Sequence, residues 1–253
     1  MSPKLVLVEP AGPFNVGSVA RLCRTYGIEE LRLVAPRCDP LGDEARLMAV
    51  KGLPLLQQAR LFPTLAAALA DCGRVVATSG RPEGEPLPLE DPDDPLAWLL
   101  AGDPELPSAL VFGREDRGLS NDELLQAGRL LQIPTPTPHG SLNLSHAVAV
   151  VLHDLYRPAR RGTPVRQAPA PSVVTVAQPP CPRGVLEAML SDAEELLLEV
   201  GFLLPHTAHA RMAKLRALLQ RGQVSAPEVA LLRGLVCQLR WASRRPFPSS
   251  QDH

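Results

Sequence analysis

Between Ala109 and Tyr156 the sequence twice carries a short apolar run through a loop of small and polar residues into a helix, and few folds accommodate that order. Ala109-Leu-Val-Phe112 reads as a buried strand, and Gly113-Arg-Glu-Asp-Arg-Gly118 follows it as a loop. Ser120 with Glu123 three residues on has capping-box spacing, which opens a helix from Asn121 to about Ala127. A second strand, Leu130 to Ile133, leads through Pro134, Pro136 and Pro138 to Gly140-Ser-Leu-Asn143 and then a long helix ending near Tyr156. In open α/β sheets, ligands sit at such strand exits.

The same alternation precedes this stretch. Lys4 to Val8 predicts a strand, followed by a helix capped by Asn15 and stopped at Gly27 after Tyr26. Glu30 to Val34 predicts another strand, Asp43 to Lys51 a helix, and Thr64 caps a helix over Leu65 to Cys72. Arg74 to Thr78 is the next strand, with Thr78-Ser79-Gly80-Arg81 as its exit loop. Residues 82–107, rich in Pro, Asp and Glu, read as a surface insertion or lid with a short helical pattern at Leu96 to Leu100. Strands alternating with helices over residues 1–156 make an α/β domain around a mostly parallel sheet. Residues 157–183 are Pro- and Arg-rich and read as a linker. Residues 184–253 form a helical extension, with segments at about 185–200, 207–220 and 227–242.

The residues at the strand exits have two readings each. Gly113 either makes a turn or lets a ligand approach the backbone, Ser141 either caps the long helix or serves a ligand, and Asn143 either faces solvent or serves a ligand, the free amides at that helix start being the donors on offer. Gly17, Arg21 and Arg24 share one face of the first helix by spacing. Arg21 either pairs with Glu29 or Glu30 or serves a site. Glu115 either pairs with Arg114 or Arg117 or accepts a proton. Neither GxGxxG nor GxxxxGK[ST] occurs, which puts hydride transfer and nucleotide hydrolysis far down the list.

Three segments carry a resemblance: Asn15-Val-Gly-Ser-Val-Ala-Arg21, Val111-Phe-Gly-Arg-Glu-Asp-Arg-Gly-Leu-Ser-Asn-Asp-Glu-Leu124 and Ser141-Leu-Asn-Leu-Ser-His-Ala-Val148. They resemble the three motifs of the SPOUT RNA methyltransferases and are most similar to the TrmJ group, bacterial tRNA cytidine/uridine 2′-O-ribose methyltransferases. Met212-Ala-Lys-Leu-Arg216 and Leu231-Leu-Arg-Gly-Leu235 resemble that group's C-terminal extension more loosely. The resemblance implies a C-terminal trefoil knot in the α/β domain, S-adenosylmethionine as methyl donor, a homodimer, and a ribose at nucleotide 32 of the tRNA anticodon loop as acceptor. It places Arg21 in the catalytic centre and Thr78, Ser79 and Gly80 in contact with the methyl donor; on chemical grounds Glu115 is the candidate proton acceptor, Ser141 and Asn143 would orient the ribose or the donor's carboxylate, and Gly113, Ile133, Gly140, Ser141 and Leu142 complete the expected donor pocket. Ribosomal RNA as substrate, or RNA binding without turnover, are the alternatives.

Composition bounds this reading. The 253 residues suffice for one large domain and a small one. No apolar run approaches the ~18 residues of a membrane span and no export signal opens the chain, so a cytoplasmic protein with no membrane partner is expected. Five scattered cysteines without CxxC spacing, and histidines without acidic or thiol partners at ligand spacing, predict no metal and no disulfide framework. The formal charge of −1 hides an asymmetry. Residues 157–183 carry five arginines and no acid, and 205–253 carry eight basic residues against Glu228 and Asp252. Such a tail is either a solvated helix face or the place where a phosphate backbone is met.

Overall fold

The computed structural model describes residues 2–80, 86–136, 142–161 (side chains to 157) and 180–244. In chain order its elements are β1 (Lys4–Val8), α1 (Pro13–Tyr26), β2 (Leu31–Val34), α2 (Asp43–Ala49), a 3-10 turn (Val50–Gly52), α3 (Leu53–Gln57), β3 (Arg60–Phe62), α4 (Leu65–Leu69) and β4 (Arg74–Thr78). There follow β5 (Leu89–Glu90), α5 (Asp93–Leu100), β6 (Ser108–Phe112), α6 (Asn121–Leu124), β7 (Arg129–Leu131), α7 (Leu144–Arg161), α8 (Arg183–Glu199), α9 (Pro205–Arg221) and α10 (Ala226–Ser243). The strands form one sheet in the order β3-β2-β1-β6-β4-β7-β5, and each pairing in it is parallel.

Both faces of the sheet are covered, which is why its strands are continuous apolar runs. Leu5, Leu7, Leu31, Leu33, Leu110 and Phe112 face one core with α1, α2, α3, α5 and α7. The intervening Val6, Val8, Ala109 and Val111 face the other, with α4 and α6. Each of these Leu, Val and Phe side chains contributes about 1.5–3 kcal/mol by leaving water.

Four expectations are corrected. Asn15 does not cap α1, because Gly12 takes the cap and Pro13, with its preset φ, opens the helix three residues earlier. Gly17 does not share the exposure of Arg21 and Arg24, with which spacing groups it. It is buried where α1 meets α2, and a Cβ there would lie 2.1 Å from the Ala45 carbonyl oxygen. Within residues 82–107, the described part is no surface insertion: β5 extends the sheet, and Leu87, Leu96 and Leu99 are buried. Finally, α7 runs on to Arg161, into the stretch read as linker, whose residues 162–179 lie outside the described residues.

The extension has its own core, including Leu186, Met189, Leu190, Leu203, Met212 and Val229. It also grips the sheet domain. Gly184 N–H donates to the Ala70 carbonyl (3.0 Å), Ala213 and Ala217 of α9 join the core around α6, and His209 Nε2 lies 3.0 Å from Asp122 Oδ1.

Candidate active site

Three neighbouring strands, β6, β4 and β7, end at one side of the sheet, and their exits enclose a cavity of about 550 Å³. Thr78, Ser79 and Gly80 come from the β4 exit, the six residues Gly113–Gly118 from the β6 exit, and Ile133 from beyond β7. Leu142, Leu144 and Ala147 close it from the α7 side. The volume is within the range of small-molecule sites, and the mixture of apolar wall and backbone polar groups suits an amphipathic ligand.

The loop after β6 is shut on itself. Arg114 N–H donates to the Gly118 carbonyl (3.3 Å), and Gly118 N–H donates back to that of Arg114 (3.0 Å). Gly113 is needed for this closure, since a Cβ on it would lie 2.4 Å from the Gly118 carbonyl carbon. The nearly buried Arg114 side chain secures the loop through both Glu123 oxygens (2.8 Å each) and through Glu9. These carboxylates hold the Arg114 pKa above its ordinary value. Glu123 also accepts from Ser120 N–H (2.8 Å), so the expected capping box forms and also anchors the loop.

Glu115 takes neither partner that spacing suggested. Its carboxylate accepts from Ala11 N–H (3.1 Å), Gly12 N–H (3.0 Å) and Asn15 Nδ2 (3.1 Å), at the head of α1. Burial acts to raise its pKa, but these bonds outweigh it and leave the carboxyl below its ordinary value. With three donors on its carboxylate, Glu115 clamps the cavity loop to the head of α1.

Other expected site residues fall out as follows. Thr78 lines the cavity but its hydroxyl donates to the Val111 carbonyl at 3.2 Å, tying two exits together. Asn143 caps α7: its Oδ1 accepts from Ser145 N–H (2.9 Å), Ser145 Oγ (2.8 Å) and His146 N–H (3.4 Å), which uses the amides expected to face a ligand. Gly140 and Ser141 lie outside the described residues. Arg21 is exposed on α1, does not line its own chain's cavity, and has no ion-pair partner among the described residues. The carboxylate of Glu30 goes instead to Lys4, Arg32 and Arg60.

Two contributions were missed. Glu9, at the exit of β1, meets Arg37 (2.5 Å), Arg114 and Arg117 (3.6 Å), and these guanidiniums, Arg114 foremost, bring its pKa from 4.5 to about 2. No local pattern signals such a residue, because its partners lie 28 to more than 100 positions away. The tail's charge also resolves only in three dimensions. Arg216, Arg233, Arg240 and Arg244 pair with Glu187, Asp192, Glu195 and Glu199 of α8. Arg211, Lys214 and Arg221 on the exposed side of α9 have no carboxylate partner among the described residues.

Among the described residues no group of three or more His, Cys, Asp or Glu is placed to hold a metal, and no helix is long and apolar enough to cross a membrane. Residues 2–153 match the family model of the SpoU rRNA Methylase family, and residues 183–247 that of the tRNA methyltransferase TrmJ C-terminal domain. The chain is 34% identical to a tRNA (cytidine/uridine-2′-O-)-methyltransferase TrmJ of Cronobacter sakazakii, covering 97% of this chain and 98% of that one. It is 33% identical to a tRNA (cytidine/uridine/adenosine-2′-O-)-methyltransferase TrmJ of Pseudomonas aeruginosa, over 95% of each. Its structure is similar to the crystal structure of TrmJ from Z. mobilis, with a TM-score of 0.80, 30% identity, and 94% of this chain and 99% of that chain covered.

Proposed function

The chain belongs to the SpoU rRNA methylase family and carries the C-terminal domain of the TrmJ tRNA methyltransferases, and from that premise we propose that it methylates a ribose 2′-hydroxyl of tRNA with S-adenosylmethionine as donor. The observation that carries the proposal is the convergence of three adjacent strand exits on one cavity of about 550 Å³. Its apolar side at Ile133, Leu142 and Leu144 suits an adenine face. The backbone groups of Thr78, Ser79, Gly80 and Gly113 suit the polar edges of the donor. When bound, S-adenosylmethionine supplies a methyl group on a positively charged sulfur.

The protein's part is to orient and neutralise. Arg21 stays protonated at neutral pH, so its role is to hold a substrate phosphate and stabilise developing alkoxide charge. Because it is exposed and does not line its own chain's cavity, we assign it to the cavity of a second copy, in a homodimer. Glu115 sets the head of the helix that carries Arg21, and Asn143 sets the start of α7.

We propose further that residues 1–156 form a knotted catalytic domain, 157–183 a linker and 184–253 an RNA-contacting extension, in a cytoplasmic enzyme acting at nucleotide 32. The uncompensated Arg211, Lys214 and Arg221 support a phosphate-facing α9. Incubation with labelled donor and unmodified tRNA, then nuclease mapping, tests the reading. Label on a ribose at nucleotide 32, lost in Arg21→Ala, is expected. Label confined to ribosomal RNA would shift the assignment to the substrate in the family model's own description, and no label on either would defeat it.

A further inference from the structure

We infer that Glu9 is the positioning residue of the donor cavity: from the tip of β1 it fixes the wall formed by the β6 exit loop, without itself lining the cavity. The inference rests on the donor-binding reading above. Its first support is the reach of one carboxylate. Glu9 gathers Arg37 from beyond β2 and Arg114 and Arg117 from beyond β6, so the exits of three adjacent strands are tied at one point. Arg114 and Arg117 both line the cavity, whereas Glu9 does not.

Its second support is the backbone. Glu9 has φ 45° and Ala35, at the neighbouring exit, φ 42°, in the left-handed region that glycine occupies at ease and a glutamate does not. Glu9 N–H also donates to the Val34 carbonyl at 2.7 Å, so the turn is held from both sides. A non-glycine residue stays in such a conformation only when its surroundings hold it there, here the Val34 carbonyl and the three guanidiniums on its carboxylate. The nearby acids are accounted for. Glu123 takes the other side of Arg114, and Asp116 lies 3.8 Å from Arg37. Losing the Glu9 charge would leave Arg37 and Arg117 without their shared partner and let the 113–118 wall shift.

The test is calorimetric titration of the full chain with S-adenosylmethionine in wild type, Glu9→Gln and Asp71→Asn, alongside urea unfolding. Asp71→Asn breaks an ion network on Arg32, a residue of β2 buried against α4 and remote from the cavity, and so reports what loss of stability alone does. The expected result is donor binding at least fivefold weaker in Glu9→Gln and within twofold of wild type in Asp71→Asn, although both lower the urea midpoint. A change under fivefold in Glu9→Gln, or an equal loss in both variants, would overturn the role. Should Glu9→Gln fail to fold, Arg37→Gln releases one arm of the hub from its more exposed side. Twofold or greater weakening there supports the inference, and a smaller change refutes it. No binding by wild type would defeat the donor reading itself and is told apart from these outcomes by the first titration.

Discussion

Two ion networks flank β1 and β2, one near the strand starts and one at their exits, built from the same chemistry to different ends. Near the starts, Arg32, 1% exposed, receives Asp71 at 2.8 Å and Glu30 at 2.7 Å, and Lys4 joins both acids. It ties β1 and β2 to α4, and none of Lys4, Glu30, Arg32 and Asp71 lines the cavity at the exits. At the exits, Arg114, 8% exposed, receives Glu9 and Glu123, but its loop is a cavity wall and its acid partner sits on left-handed backbone. The lesson is that a buried guanidinium between carboxylates says nothing about function by itself. What separates the two is whether the residues it fixes face a hollow and whether the backbone around it is strained.

The comparison breaks or sharpens on four measurements. The largest effect is expected from Arg32→Ala, which removes a fully buried side chain and leaves two acids without it. Stability should fall by about 3 kcal/mol in urea unfolding, with donor affinity intact in the folded fraction. Comparable loss of donor affinity would erase the distinction between the two networks. Glu115→Ala comes next: it leaves the Ala11 and Gly12 amides without their acceptor at the head of α1, for about 1–2 kcal/mol. Methyl transfer should nevertheless drop at least tenfold, because Arg21 rides on that helix, and an unimpaired rate would refute the clamp.

Acid titration sharpens the contrast. Glu9 has its pKa depressed in the folded state, from 4.5 to about 2, so its contribution is present above about 4.5 and is lost as pH falls toward 2. Asp71 is depressed too, chiefly by Arg32, and its contribution likewise needs the ionised form. Wild type should therefore lose stability between pH 4.5 and 2, and Glu9→Gln should show a shallower acid limb in urea midpoints measured across that window. The smallest effect belongs to His209→Ala. Both His209 and Asp122 are mostly exposed, so less than about 1 kcal/mol is expected, and melting curves of the variant beside wild type would check it.

Much of this site could be read before any fold was known, and particular residues show why. The Ser120–Glu123 capping box is a three-residue relation and appeared as expected. So did β1, β4 and β6, whose apolar runs are long enough to register. The short edge strand at Arg60–Phe62 and the two-residue β5 were not legible, since a strand that short has no period to detect. Asn15 looked like a cap by type, yet its side-chain amide goes to Glu115, 100 positions on.

By itself, the sequence determined the parallel α/β class, the loops at β4, β6 and β7 as candidate ligand loops, and the separate helical extension. These follow from hydrophobic period and turn chemistry, which act over a few residues. Only the tertiary structure decided that those three exits are neighbours, that Glu115 holds α1, that four of the tail's seven arginines are spent on α8, and that Glu9 is a hub. Each of these depends on strand order and helix docking, which bring together groups far apart in the chain, and no local spacing encodes such a meeting.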